Sequence, residues 1–200
     1  MTKIIFAALL CAGAALWLPA RAVEIEGVKI DDKVVLSSGG PELVLNGAGV
    51  RHKLAFFKVY VGSLYLTKKI ADNEAIFADP GPKRVSMHIL SNEVTASDLI
   101  ASMNHALAAN LVPHELALLE KRIRDLNTMM SSLKSISKGG VVLLDYIPDV
   151  GTRVTVNGEE KLTIPGEDFF RAMLHIWIGD KPVDGRLRNA MLGGTPGRLF

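Results

Sequence analysis

Residues 50–67, VRHKLAFFKVYVGSLYLT, decide how the chain is read. Phe, Tyr, Val and Leu crowd this run, and such side chains suit a pleated, half-buried surface. Taken as one strand, it puts Leu54, Phe56, Lys58, Tyr60, Leu64 and Leu66 on one face. Ala55, Phe57, Val59, Val61 and Tyr65 fall on the other. Neither face is polar throughout, which predicts a sheet with material packed at least partly on both sides.

Working outward from this run, the pattern stays β-like upstream. Residues 23–30 (VEIEGVKI) alternate apolar and polar, residues 33–36 form a second β-type run, and Asn46-Gly47-Ala48-Gly49 suggests a corner just before the long strand. Downstream, residues 71–78 predict a short helix, ended by Asp79-Pro80-Gly81-Pro82. Alternation in 84–90 predicts a strand. Thr95 is a plausible cap for a helix carrying Leu99, Met103, Leu107 and Leu111 at helical spacing. Pro113 fits the first position of the next helix, whose apolar stripe runs from Leu116 to Leu133. Strands are predicted again over 141–147, 153–156 and 161–164, with Asn157-Gly158 as a hairpin turn. Pro165-Gly166 opens a helix with Glu167 and Asp168 in its first turn, stopped by Gly179, and a last helix follows Asp184. Strands, helices, strands and helices follow one another without βαβ alternation. That order predicts an α+β fold, a large antiparallel sheet with a layer of helices on one face.

The N-terminus reads differently from the rest. Lys3 precedes an apolar run over 4–18, Pro19 breaks it, and Ala20-Arg21-Ala22 offers small residues for cleavage. This is the order of a secretory signal peptide over 1–22, leaving one domain over 23–200 with no stable membrane anchor. The expected location is periplasmic or secreted. Cys11 is the sole cysteine and leaves with the signal, so the mature chain has no disulfide and no thiolate chemistry. Without Lys3 and Arg21 the 23 basic residues fall to 21, against 21 acids. That balance argues against nucleic acid as a partner. Five scattered histidines show no metal-ligand spacing, so no metal and no cofactor are expected.

Three segments together resemble the chalcone-isomerase-like family, in particular its bacterial secreted branch. They are Leu45-Asn46-Gly47-Ala48-Gly49-Val50-Arg51 with the following 56–66; 151–158 with Ile164-Pro165-Gly166 and Phe169; and 176–183 (IWIGDKPV) with Leu187 and Leu192-Gly193. The resemblance implies an open-faced sandwich with a ligand cleft between sheet and helices. It also implies that Arg51 faces that cleft, as the family's arginine does, to hold an oxyanion or a carboxylate. A guanidinium fork suits either.

The rest of the isomerase machinery matches poorly. Tyr60 stands where the isomerases carry a threonine close to the substrate. Asn104 stands for an asparagine on a cleft helix, but its tyrosine partner is replaced by Ser97. Ile176 replaces a hydroxyl-bearing residue. The candidate ligand-binding set is therefore Arg51, Tyr60 and Asn104, and no catalytic residue is assigned. The leading expectation is non-catalytic binding of a small amphipathic carboxylate such as a fatty acid. Two alternatives stay open: a chalcone-isomerase-type intramolecular lyase acting on an enone, and an interaction module whose cleft is plugged by Tyr60, Phe56 and Trp177.

Overall fold

The computed structural model describes residues 22–54, 56–92, 94–133 and 135–194. Residues 1–22, expected from their pattern to be a signal peptide, lie outside them except for Ala22. The chain opens with a hairpin, β1 (Ala22–Ile25) and β2 (Val28–Asp31), which forms its own two-stranded sheet. Here the alternation over 23–30 is one pattern but two strands, because Glu26 and Gly27 both take positive φ and turn the chain back.

Seven strands then build a single antiparallel meander. They are β3 (Lys33–Val35), β4 (Glu42–Lys53), β5 (Phe57–Leu66), β6 (Lys83–Ile89), β7 (Val141–Ile147), β8 (Gly151–Val156) and β9 (Glu159–Ile164), each paired with its sequence neighbour. Asn157 and Gly158, both at positive φ, make the β8–β9 turn. The helices are α1 (Asn73–Ala78), α2 (Ala96–Asn110), α3 (Pro113–Ser132), α4 (Glu167–Ile178) and α5 (Gly185–Met191). The expected α+β architecture, a large antiparallel sheet with helices on one face, is what the chain adopts.

The main core lies between sheet and helices, where Leu64, Val85, Ile89, Leu144 and Val154 meet Leu107, Phe169 and Trp177. A second, smaller core lies on the other face, where Ile30 of β2 packs on Leu43, Ala48, Val61 and Tyr65. The N-terminal hairpin is thus what covers the sheet's far side.

Two readings of the deciding stretch are corrected. Residues 50–67 are not one strand: Leu54 takes φ 54° and the chain reverses between β4 and β5. The Asn-Gly-Ala-Gly segment is no corner either, since β4 runs straight through it. Its glycines serve α5 instead. A Cβ on Gly47 would sit 1.9 Å from the Ala190 carbonyl oxygen, and one on Gly49 would sit 2.7 Å from the Ala190 Cβ. Gly49 pairs with Gly62 on β5, so the two give α5 a flat floor. Asn46 is the extra residue of a β-bulge, and its buried side chain donates to the Ile70 and Met191 carbonyls and accepts from the Ile70 N–H.

Candidate functional site

The site is built where the β4–β5 hairpin meets α2 and α4. Arg51 on β4 pairs in register with Tyr60 on β5. One residue further the register slips, so Val59 and Tyr60, consecutive in sequence, both join the helix-side core. Bulges re-aim side chains in this way. At the other end of α5, the capping carboxylate of Asp184 accepts from the Arg186 and Leu187 amides with one oxygen and from the His52 amide with the other. The backbone beside Arg51 is therefore fixed by α5.

Arg51 borders a narrow cavity of about 50 Å³ between sheet and helices. Its guanidinium lies 5.4 Å above the centre of the Tyr60 ring and donates to the Ser102 hydroxyl of α2 at 2.5 Å. Its Nε is buried and has no hydrogen-bond partner. No carboxylate pairs with it among the described residues. Nearly all the remaining wall is apolar, including Leu144, Val154, Val156 and Ile176. Arg51 and Ser102 also edge an open groove with Lys53, Asp98 and His105, so the guanidinium stands where the cavity meets the surface.

Tyr60 is almost fully buried, and its hydroxyl accepts from Trp177 Nε1 at 2.8 Å. Burial pushes its phenol up, only partly offset by the Arg51 charge and the Trp177 hydrogen bond. The phenol therefore stays protonated at neutral pH, and its O–H is a donor held close to the guanidinium. Above Ser102 on α2, Asp98 completes a capping box with Thr95 and pairs with Lys53 of β4 at 3.2 Å. The Thr95 hydroxyl, then Lys53, hold its carboxyl below the usual range. α2 is thereby tied to the strand that carries Arg51.

Arg51 and Tyr60 thus come together at the cavity. Asn104 does not join them: it faces α3, where its carbonyl oxygen accepts from Asn127 at 3.4 Å. Helix α2 presents Ser102, not Asn104, to the cavity. Ile176 lines the cavity, so an isoleucine does face the space where isomerases bear a hydroxyl. Phe56, expected as part of a plug, is 79% exposed at the hairpin turn. Ser102 and the Trp177–Tyr60 bond were not legible, because a lone helix serine and a late-helix tryptophan carry no signal without the register. Among the described residues no cluster of His, Cys, Asp and Glu is placed to hold a metal.

A family model described as chalcone isomerase-like matches residues 22–193. Among solved structures, the crystal structure of a fatty-acid binding protein of Arabidopsis thaliana is similar, with a TM-score of 0.59 at 14% identity. The match covers 80% of this chain and 95% of that one. At such identity the likeness speaks for the fold. No curated protein matches the sequence.

Proposed function

The chain belongs to the chalcone isomerase-like family, whose model spans residues 22–193, and from that premise we propose that it binds a small amphipathic carboxylate, such as a fatty acid, without transforming it. The observation that carries this reading is Arg51. It is a permanent cation at the mouth of an apolar cavity, held by a serine hydroxyl and facing no carboxylate among the described residues. Burying a charge without a counter-charge is costly, so an anion brought by a ligand relieves the site. The ligand's carboxylate takes the guanidinium fork, with the Tyr60 O–H as a further donor, and its tail enters the cavity. Pockets of this kind are mostly apolar with a few placed polar groups.

The Arabidopsis protein that shares the fold is a fatty-acid binding protein, which supports the same ligand class. The isomerase reading has less behind it, since Ile176 offers no hydroxyl and the Tyr60 oxygen already serves Trp177. The sequence pattern of residues 1–22 supports an exported protein, acting in the periplasm or outside the cell.

The test is to express the chain with its own N-terminus and analyse the purified protein by native mass spectrometry and solvent extraction. The wild type is expected to carry, or take up, one fatty acid, and Arg51→Ala to purify without it. A folded wild type that neither carries nor takes up any acid overturns the reading.

A further inference from the structure

The cavity wall is unusually rich in one residue type. Met87 on β6, Met103 on α2, Met129 and Met130 on α3, and Met173 on α4 all line it. The chain has seven methionines, so besides Met1 only Met191 stands elsewhere. Four separate elements contribute, which makes a sleeve around the space rather than a stripe along one helix.

The sleeve is drawn in close. The free space between sheet and helices is only about 50 Å³. An acyl chain therefore lies there only if part of the wall moves. The floor is poorly suited to moving: Val142, Val154 and Val156 come from β7 and β8, and β-branched side chains are stiff about χ1. The roof is well suited. Methionine is unbranched, turns about three bonds and has a polarizable sulfur that accepts varied neighbours. Helix α3 adds to this, since its fully buried residues are only Leu119 and Leu126 while Met129 and Met130 are half-buried.

Resting on the binding reading above, we propose that the site identifies its ligand by the carboxylate alone and accepts a class of acyl chains, straight, bent by a cis double bond, or methyl-branched. The rigid polar end at Arg51, Ser102 and Tyr60 sets what the ligand must be. The methionine sleeve re-forms around whatever tail follows. A wall of valine and isoleucine throughout would instead select one shape, because packed cores charge heavily for a misplaced methylene.

The experiment is calorimetric titration of delipidated full-length mature protein with octanoic, dodecanoic, hexadecanoic, oleic and a methyl-branched hexadecanoic acid. The matching alcohols are titrated in parallel, and both series are repeated on a Met129→Leu/Met130→Leu variant checked for folding by circular dichroism. The acids from dodecanoic upward are expected to agree within about tenfold, each alcohol to bind at least about tenfold more weakly than its acid. In the double variant the bent and branched acids should lose about tenfold relative to hexadecanoic acid. One acid outbinding its neighbours by about a hundredfold overturns the proposal, as does a double variant with unchanged ranking. Acids and alcohols binding equally well across all shapes removes the carboxylate reading but leaves the sleeve standing. No binding by any chain, charged or neutral, overturns both.

Discussion

The two faces of the sheet treat their arginines in opposite ways. On the face away from the helices, Asp145 is fully buried and both its oxygens are taken. Arg84 binds it through Nε and Nη2 at 2.6 and 2.7 Å, and Arg153 donates to it at 3.0 Å while also reaching the Leu36 carbonyl. These side chains join β6, β7 and β8, with Leu36 just beyond β3 at the far end of the meander. On the helix face, Arg51 has a serine hydroxyl and an aromatic ring, and its Nε has nothing. A cation closed into an internal network holds the fold; a cation left open beside a cavity is available to a ligand. Both are legitimate answers to the cost of taking charge out of water, and they separate structure from function on one sheet.

The contrast is sharpest if each side is broken in turn. Asp145→Ala leaves Arg84 and Arg153 partly buried without their counter-charge, and removal of one partner from a buried pair costs about 3–5 kcal/mol. Arg51→Ala loses the contact over the Tyr60 ring and one hydrogen bond to a half-exposed serine hydroxyl, with no counter-charge left behind, so its cost in stability should stay below about 2 kcal/mol. Urea unfolding of both variants measures this directly. An Arg51→Ala protein as unstable as Asp145→Ala would make Arg51 a structural residue and erase the distinction.

A smaller effect, about 1–3 kcal/mol, is expected of Tyr60→Phe, because Trp177 Nε1 is then buried with no acceptor. The same residue should leave a trace in alkali. Burial raises the phenols of Tyr60, Tyr65 and Tyr146, which are the chain's three tyrosines. In the unfolded chain a phenol releases its proton near pH 10. Above that pH the folded state holds protons that the unfolded state has lost, so stability is complete below about pH 10 and falls as pH rises further. Tyr60→Phe should flatten that fall when urea midpoints are followed from neutral pH into alkali. An unchanged slope would mean that the burial of Tyr60 gives way before its proton does.

How much of this was legible in the sequence follows from what each signal encodes. Periodicity and turn residues gave the sheet, the helices and their order, because Asn157-Gly158, Thr95 and Pro113 each have one dominant local use. The segment 46–49 misled because glycine marks two different things, a turn and a close approach, and here it is the approach of α5 that needs Gly47 and Gly49. The reversal at Leu54 was hidden because no glycine or proline announces it and the apolar run continues across it. Arg51 and Tyr60 were picked out by resemblance; that they are cross-strand partners needed the hairpin register. Asn104 lies away from the cavity because helix position alone decides which wall a side chain faces, and a two-residue offset on α2 exchanges Ser102 at the cavity for Asn104 against α3.

That offset supplies the finest test of the comparison. If Arg51 is a ligand residue, then Ser102 is its positioning residue, and Ser102→Ala should leave unfolding unchanged while weakening every acid. The expected loss is about two- to tenfold, the worth of one hydrogen bond of about 0.5–1.5 kcal/mol. Alcohols with the same tails should be unaffected, since they do not use the guanidinium's charge. A matching loss for the alcohols would place Ser102 in the apolar wall and not in the head-group site. Stronger acid binding in the variant would mean that the serine occupies the part of the fork the carboxylate needs, and Arg51 would then be a latch that the ligand must open before it can be held.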